Sequence, residues 1–446
     1  MLTRACLSLL LLMATPVLSQ AVPSATVSTD IPEDEYRMPI PPMVSGIAYP
    51  TVTRPEERAN YLKAGFTFEP AYYDNLLPGE GTAPISDIGY SMRPSIALDL
   101  LTPRLHQSWT YSPGFTLYQR TSARNDVDQN ASLQLQYRLT QHMTISGQDN
   151  FSKTSNVFNQ SDSLLGEPIS GSPPSSPADV IIPFADRLTN VANAVATYQF
   201  GINQMIGIGG TTSIYNFPDQ AQFPGGYDSN SRGGSAFYTH RMYGTQFIGV
   251  IYQYIETLGH PPSGQIEIQT NAMFPFYTAS LLQSRLSLSL AGGPQHYDLT
   301  ASALPPANSW TPAVMTSLAW QGDRTAIVAM YSRTVTGAGG LIGVYNSTRA
   351  GTSARWHFAR TWSGELGVQY LLYKNLTPEA LSSTPGGHSF SLTASIDDQV
   401  TEHFGAKFGY GRLDEDYSSI AAISSDPNSD RWFISISYQF LRPLGR

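Results

Sequence analysis

The sequence predicts an all-β chain: a transmembrane, antiparallel, up-and-down β-barrel of about sixteen to eighteen strands. Three observations carry that prediction. Apolar and polar residues alternate, segment after segment, from Tyr61 to Phe440. The connections between segments are short and long in turn. Charged residues make up only 13% of the chain against 41% hydrophobic, where a soluble protein carries about a quarter charged. Ser, Thr, Gln, Asn, Gly and Tyr take the place of the missing charge, as expected when one strand face meets lipid and the other an uncharged polar interior.

The first segment sets Leu62, Ala64, Phe66 and Phe68 against Lys63, Gly65, Thr67 and Glu69. Successive strand side chains point to opposite faces, so this is one apolar and one polar face. The same contrast recurs where Leu133 and Leu135 oppose Gln134 and Gln136, and where Leu366 and Val368 oppose Glu365 and Gln369. The last segment, RWFISISYQF at 431–440, aligns Trp432, Ile434, Ile436, Tyr438 and Phe440 on one side. Short turns fall near Pro103, Gln141, Asn203, Gly244, Gln283, Gly322, Arg360 and Gln399. With both ends on the short-turn side, those positions imply about eighteen strands and about nine long loops. A soluble sandwich or propeller would carry charge on its exposed face, and a solenoid would show a fixed repeat; neither pattern is present.

The ends are different in kind. Residues 1–21, MLTRACLSLLLLMATPVLSQA, combine Arg4, a short apolar core and a small-residue cleavage site, which reads as a secretory signal peptide. The one cysteine, Cys6, lies within it, so the mature chain is expected to lack disulfides, thiol catalysis and zinc-thiolate sites. Residues 22–60 are Pro-rich and read as a periplasmic tail, 61–440 as the barrel, and 441–446 as a short C-terminal extension. No later apolar run reaches the roughly 18 residues of a spanning helix. A net charge of −8 without a basic run argues against nucleic acid as a partner.

No catalytic constellation emerges, and the chain is expected to be neither an enzyme nor the holder of a cofactor or metal. Asp126 and Asp128 lack the Gly and terminal Glu of a calcium loop, and the histidines are scattered. The polar phase of the strands instead nominates pore-lining charges: Lys63, Glu69, Arg93, Asp99, Arg138, Glu267, Arg285, Arg355, Glu365 and Lys407. Opposed acids and bases in an aqueous pore select solutes by charge. Tyr118, Tyr215, Phe237, Tyr331, Tyr345, Tyr373 and Phe433 share that phase and offer rings for stacking or filling. The longest loop, about 153–189, has apolar patches that suit inward folding. Its Asp162, Glu167, Asp179 and Asp186 would line a cation-favouring constriction.

Residues 61–440 resemble porin-like bacterial outer-membrane β-barrels. The aromatic-ended SISYQF strand resembles their assembly signal, with Tyr438 and Phe440 as its key residues, although LRPLGR follows it. Stretches such as PSIALDLLTPRLHQSWTYSPGFTLYQ and RNDVDQNASLQLQYRLT are similar to barrels grouped with porins or with exopolysaccharide-associated outer-membrane proteins. The resemblance implies location in the outer membrane of a Gram-negative bacterium and a channel for passive diffusion of small hydrophilic solutes. It leaves open polysaccharide export or attachment, and a plugged structural or adhesion barrel. The implied partners are outer-membrane lipid, the barrel assembly machinery and small solutes or polysaccharide, with a homotrimer as one assembly state.

Overall fold

The computed structural model describes residues 60–76, 84–122, 125–156, 158, 184–218, 227–261, 264–282, 285–302, 306–337, 344–376, 386–416 and 428–444. The expected signal peptide and nearly all of the expected tail lie outside these residues.

Eighteen strands follow one another in sequence. The first six are β1 (Tyr61–Tyr73), β2 (Asp87–Leu101), β3 (Leu105–Tyr118), β4 (Asp126–Arg138), β5 (Met143–Asn156) and β6 (Phe184–Gly201). The next six are β7 (Gln204–Asn216), β8 (Ser229–Tyr243), β9 (Gln246–Gly259), β10 (Ile266–Leu281), β11 (Leu286–Ala301) and β12 (Ala307–Gln321). The last six are β13 (Thr325–Thr336), β14 (Tyr345–His357), β15 (Trp362–Asn375), β16 (Gly387–Asp398), β17 (Phe404–Asp416) and β18 (Asn428–Pro443). Each strand pairs antiparallel with its sequence neighbours, and β1 pairs with both β2 and β18, so the sheet closes. The eight short turns lie where the alternation placed them, for instance 102–104 and 322–324.

Closure removes both sheet edges, which is what a β structure needs in lipid, where no water satisfies an unpaired N–H or C=O. The exterior matches that solvent. Ile208 is 67% exposed, and Phe66, Leu133, Leu366, Phe408 and Ile434 are exposed with it. Along β12 the outward residues run from Trp310 to Trp320 through Pro312, Val314 and Leu318. Ten residues of tilted strand span about 25 Å, the height of a lipid-facing band flanked by aromatic girdles.

The closing strand runs further than the sequence suggested. Leu441, Arg442 and Pro443 pair with Lys63, Leu62 and Tyr61, so the barrel ends at Pro443 rather than Phe440. The physical reason is that β1 starts at Tyr61 and its first three residues need partners. Tyr438 and Phe440 point outward, about half exposed, opposite Phe66 and Ala64. If an assembly factor reads this outward aromatic pair, Tyr438→Ala with Phe440→Ala will lower the amount of folded, heat-modifiable barrel in the membrane. Unchanged barrel levels would reduce the stretch to an ordinary strand.

Candidate pore and its lining

Directly paired residues share a face, so the register fixes which side chains enter the lumen. Phe66 and Tyr72 are exposed on the outside of β1, which turns Lys63 and Glu69 inward. Following the pairs around the sheet places Arg93, Asp99, Arg138, Arg355, Glu365 and Lys407 on the inward phase as well. They gather on one part of the wall. On β14 to β17, Lys407 Nζ lies 3.4 Å from Glu365 Oε2 and 3.7 Å from Asp397 Oδ1. Arg355 sits directly opposite Glu365. On β2 and β3, His106 Nε2 lies 3.1 Å from Asp99 Oδ2.

Four expected positions are corrected. Glu267 shares the outward phase of Met273, pairing with Leu258 and Thr300, while Ile266 and Ile268 turn inward. Beyond the lipid band the outer surface is wet and the inner one packed, so the apolar and polar phases exchange sides. Arg285 lies in the turn before β11, with its Nη2 2.8 Å from Asp323 Oδ1 of the neighbouring short turn, at the rim. Tyr331 faces outward opposite Thr316. Asp186 belongs to β6, where it accepts a hydrogen bond from Ser155 Oγ, rather than to the loop. Asp162, Glu167 and Asp179 lie outside the described residues.

The inner faces of β6 to β12 set buried apolar groups, Tyr215 and Phe237 of the expected inward rings among them, beside inward Thr197, Thr239, Thr278 and Ser289. Phe237, Phe247, Ile251, Phe274, Phe276 and Met315 form one buried cluster. A second cluster joins Tyr227, Ile266, Ile268, Tyr297 and Leu299 to Val335 and Val344. Tyr227 lies before β8, and burial pushes its phenol well above the ordinary value, so it is a neutral packing group. Tyr345 and Tyr373 meet edge to face at 6.2 Å nearby.

Opposite this wall, the closing seam carries a buried ion pair, Glu69 with Arg431. Arg93 Nη2 is 4.0 Å from the same carboxylate. The Arg431 guanidinium stands 4.8 Å from the Phe433 ring centroid, 5.6 Å from Tyr73 and 5.8 Å from Phe158. Its Nη1 donates to the Phe158 carbonyl at 3.4 Å. Phe158 follows β5, so this part of the long β5–β6 connection is docked on the lumen side of the seam. Sequence reasoning passed over Arg431 and Phe158. The signal was present for Arg431, the one charged residue on the inward phase of the 431–440 strand; nothing local marked Phe158.

No protein-family model matches this sequence, and no curated protein matches it. Similar solved structures include Pseudomonas aeruginosa OpdK with vanillate, at TM-score 0.41 and 8% identity over 85% of this chain and 99% of that chain. Pseudomonas aeruginosa OccK2 (OpdF) in complex with glucuronate gives 0.43 and 9% over 85% and 98%. Acinetobacter baumannii OccAB4 gives 0.41 and 10% over 87% and 100%. The fold assignment follows from the closed register and does not depend on them. A closed antiparallel barrel with an apolar exterior is the form in which β structure spans a membrane.

Proposed function

We propose that this chain is a passive outer-membrane channel for small hydrophilic solutes. The supporting observation is the charged inner face built by β14 to β18 with β1 to β4, where acids and bases line one side of an eighteen-stranded wall. A barrel of that size leaves an aqueous passage unless something fills it. Selectivity then comes from lumen charge and from how far the β5–β6 connection enters, with no chemical step. Single-channel recording in planar bilayers tests the reading: stepwise, ohmic currents are expected from the purified protein. A folded, heat-modifiable preparation with no conductance would instead assign a plugged structural or adhesion barrel, the reading that the buried apolar clusters favour. Tyr118, Tyr345 and Tyr373 turn inward but are no more than 5% exposed and packed on neighbouring rings, so they give no open face for sugar stacking in an exopolysaccharide route. Assembly as a homotrimer would be read in the same preparation by chemical cross-linking.

A further inference from the structure

The charged face of the lumen has an uncharged counterpart on β3 to β6. One row of the register sets Ser108 opposite Gln134, Gln134 opposite Gln148, and Gln148 opposite Asn193. The row toward the long loops sets Thr110 opposite Ser132 and Ser132 opposite Asn150. The row toward the short turns sets His106 opposite Gln136 and Gln136 opposite Ser146. Neighbouring strands lie about 4.8 Å apart, so the amides of Gln134, Gln148 and Asn193 follow one another as a ladder across the wall.

The phase of these residues is fixed from both sides. Leu133 and Leu135 are exposed on the outside of β4, which turns Ser132, Gln134 and Gln136 inward. On β6, Ala194 and Tyr198 are exposed outward while Val195 and Thr197 are buried inward, and Asn193 shares the inward phase. An inward side chain that keeps exposed surface keeps it against the lumen. Thr110 and Asn130 are exposed, and Gln134, Gln148, Asn150 and Asn193 are partly so. This part of the wall is therefore open, unlike the packed clusters farther round the barrel.

Its amides are also unspent. The side chains of Gln136, Gln148, Asn150 and Asn193 make no hydrogen bond within the chain. The bonds that do form brace the frame: the Thr110 and Ser132 hydroxyls meet at 2.8 Å, and Ser152 Oγ donates to Asn130 Oδ1 at 2.7 Å. Charge is kept to the margins. Asp128, at the outer end of β4, is buried with its Oδ1 accepting from Ser155 N, and Arg138 lies beside the turn. The inward phase of β5 carries no ionisable group between Thr144 and Thr154.

A primary amide offers two donors and an acceptor, and an alcohol likewise donates and accepts. A row of amides therefore matches a row of hydroxyls in both senses. An anion would find no cation here, and an apolar solute would leave the amides without partners.

We propose that the β4 to β6 ladder is a subsite for an uncharged polyhydroxylated solute, a sugar or a sugar alcohol. Gln134, Gln148 and Asn193 hold it by hydrogen bonds, with Asn150 and Gln136 extending the contact toward the two mouths. Each bond replaces one to water, so the net gain is small, which suits a subsite that must release what it holds. This rests on the channel reading and names the solute class that the channel favours.

The test is single-channel current in maltose, in sorbitol, and in triethylene glycol dimethyl ether at matched viscosity. The ether is neutral and lacks hydroxyls. Currents of the parent protein will be lower in either polyol than in the ether. Gln148→Met with Asn193→Leu preserves side-chain volume, removes two amides, and will raise the half-blocking polyol concentration by about tenfold. Its reversal potential under a salt gradient will match the parent's, because no charge has changed. Block by maltose alone supports a ring sugar as the guest; block by both supports polyols at large. Conduction with equal currents in all three solutes would overturn the subsite and leave the channel standing. So would an unchanged half-blocking concentration in the folded, heat-modifiable double variant. A parent that does not conduct would overturn the channel reading instead. Saturation-transfer NMR of maltose on the detergent-solubilised protein then decides the subsite: transfer supports it, and no transfer overturns it.

Discussion

Arg431→Met will lower the stability of the folded barrel by about 3–5 kcal/mol, the usual cost of removing one member of a buried ion pair. The substitution keeps a long side chain among the Tyr73, Phe158 and Phe433 rings, so little packing volume is lost. What it removes is the charge that Glu69 faces in a site where Glu69 is only 7% exposed. Arg93, with its Nη2 4.0 Å from the carboxylate, offsets part of that loss, which sets the expectation nearer the lower figure. The measurement is the urea midpoint of the heat-modifiable band. Glu69→Gln combined with Arg431→Met separates charge from packing: recovery of most of the lost stability assigns the effect to the stranded carboxylate. A double variant as weak as the single one would assign it to the lost ring contacts and the Phe158 carbonyl.

The location of that pair explains why the effect should be large. Glu69 and Arg431 sit on β1 and β18, the two strands that close the barrel, and they are joined late because their partners are remote in sequence. The same guanidinium fixes Phe158. One side chain therefore couples closure of the wall to the position of Phe158, just after β5.

The fold was legible because lipid imposes a strict rule on every strand. Within the band most outward residues are apolar, so Leu133, Leu366 and Ile434 announce their phase without help from tertiary structure. Outside the band the rule lapses. Extending the alternation past its domain is what puts Glu267 and Arg285 among the expected lumen residues. Phe237 was legible as an inward ring, whereas inward Phe274 and Phe276 lie among outward residues, Met273, Pro275 and Tyr277, that are equally apolar. The end of β12–β13 pairing at Val314 needed the register. Pro294 and Pro312 look like any strand prolines until they are seen to oppose each other, which fixes the side on which Pro312 fails to donate.

Lys407 offers the sharpest handle on ion selection. It stands between Glu365 and Asp397, with Arg355 opposite Glu365, so two acids and two bases balance on the inner face. Lys407→Gln leaves one unopposed negative charge there; Glu365→Gln with Asp397→Asn leaves two positive ones. A unit charge about 6 Å from a passing ion in water contributes about 0.7 kcal/mol, or about threefold in local concentration. Cations and anions respond in opposite senses, so the permeability ratio should move by up to about tenfold per charge. Recordings belong near 0.1 M salt, where the screening length is about 10 Å, because at 1 M it falls to about 3 Å and hides the effect. Under a salt gradient the reversal potential of Lys407→Gln will shift toward cation preference and that of the double variant toward anion preference. Equal reversal potentials in all three proteins would mean that ions do not pass this face, and the conducting path would have to lie elsewhere in the barrel.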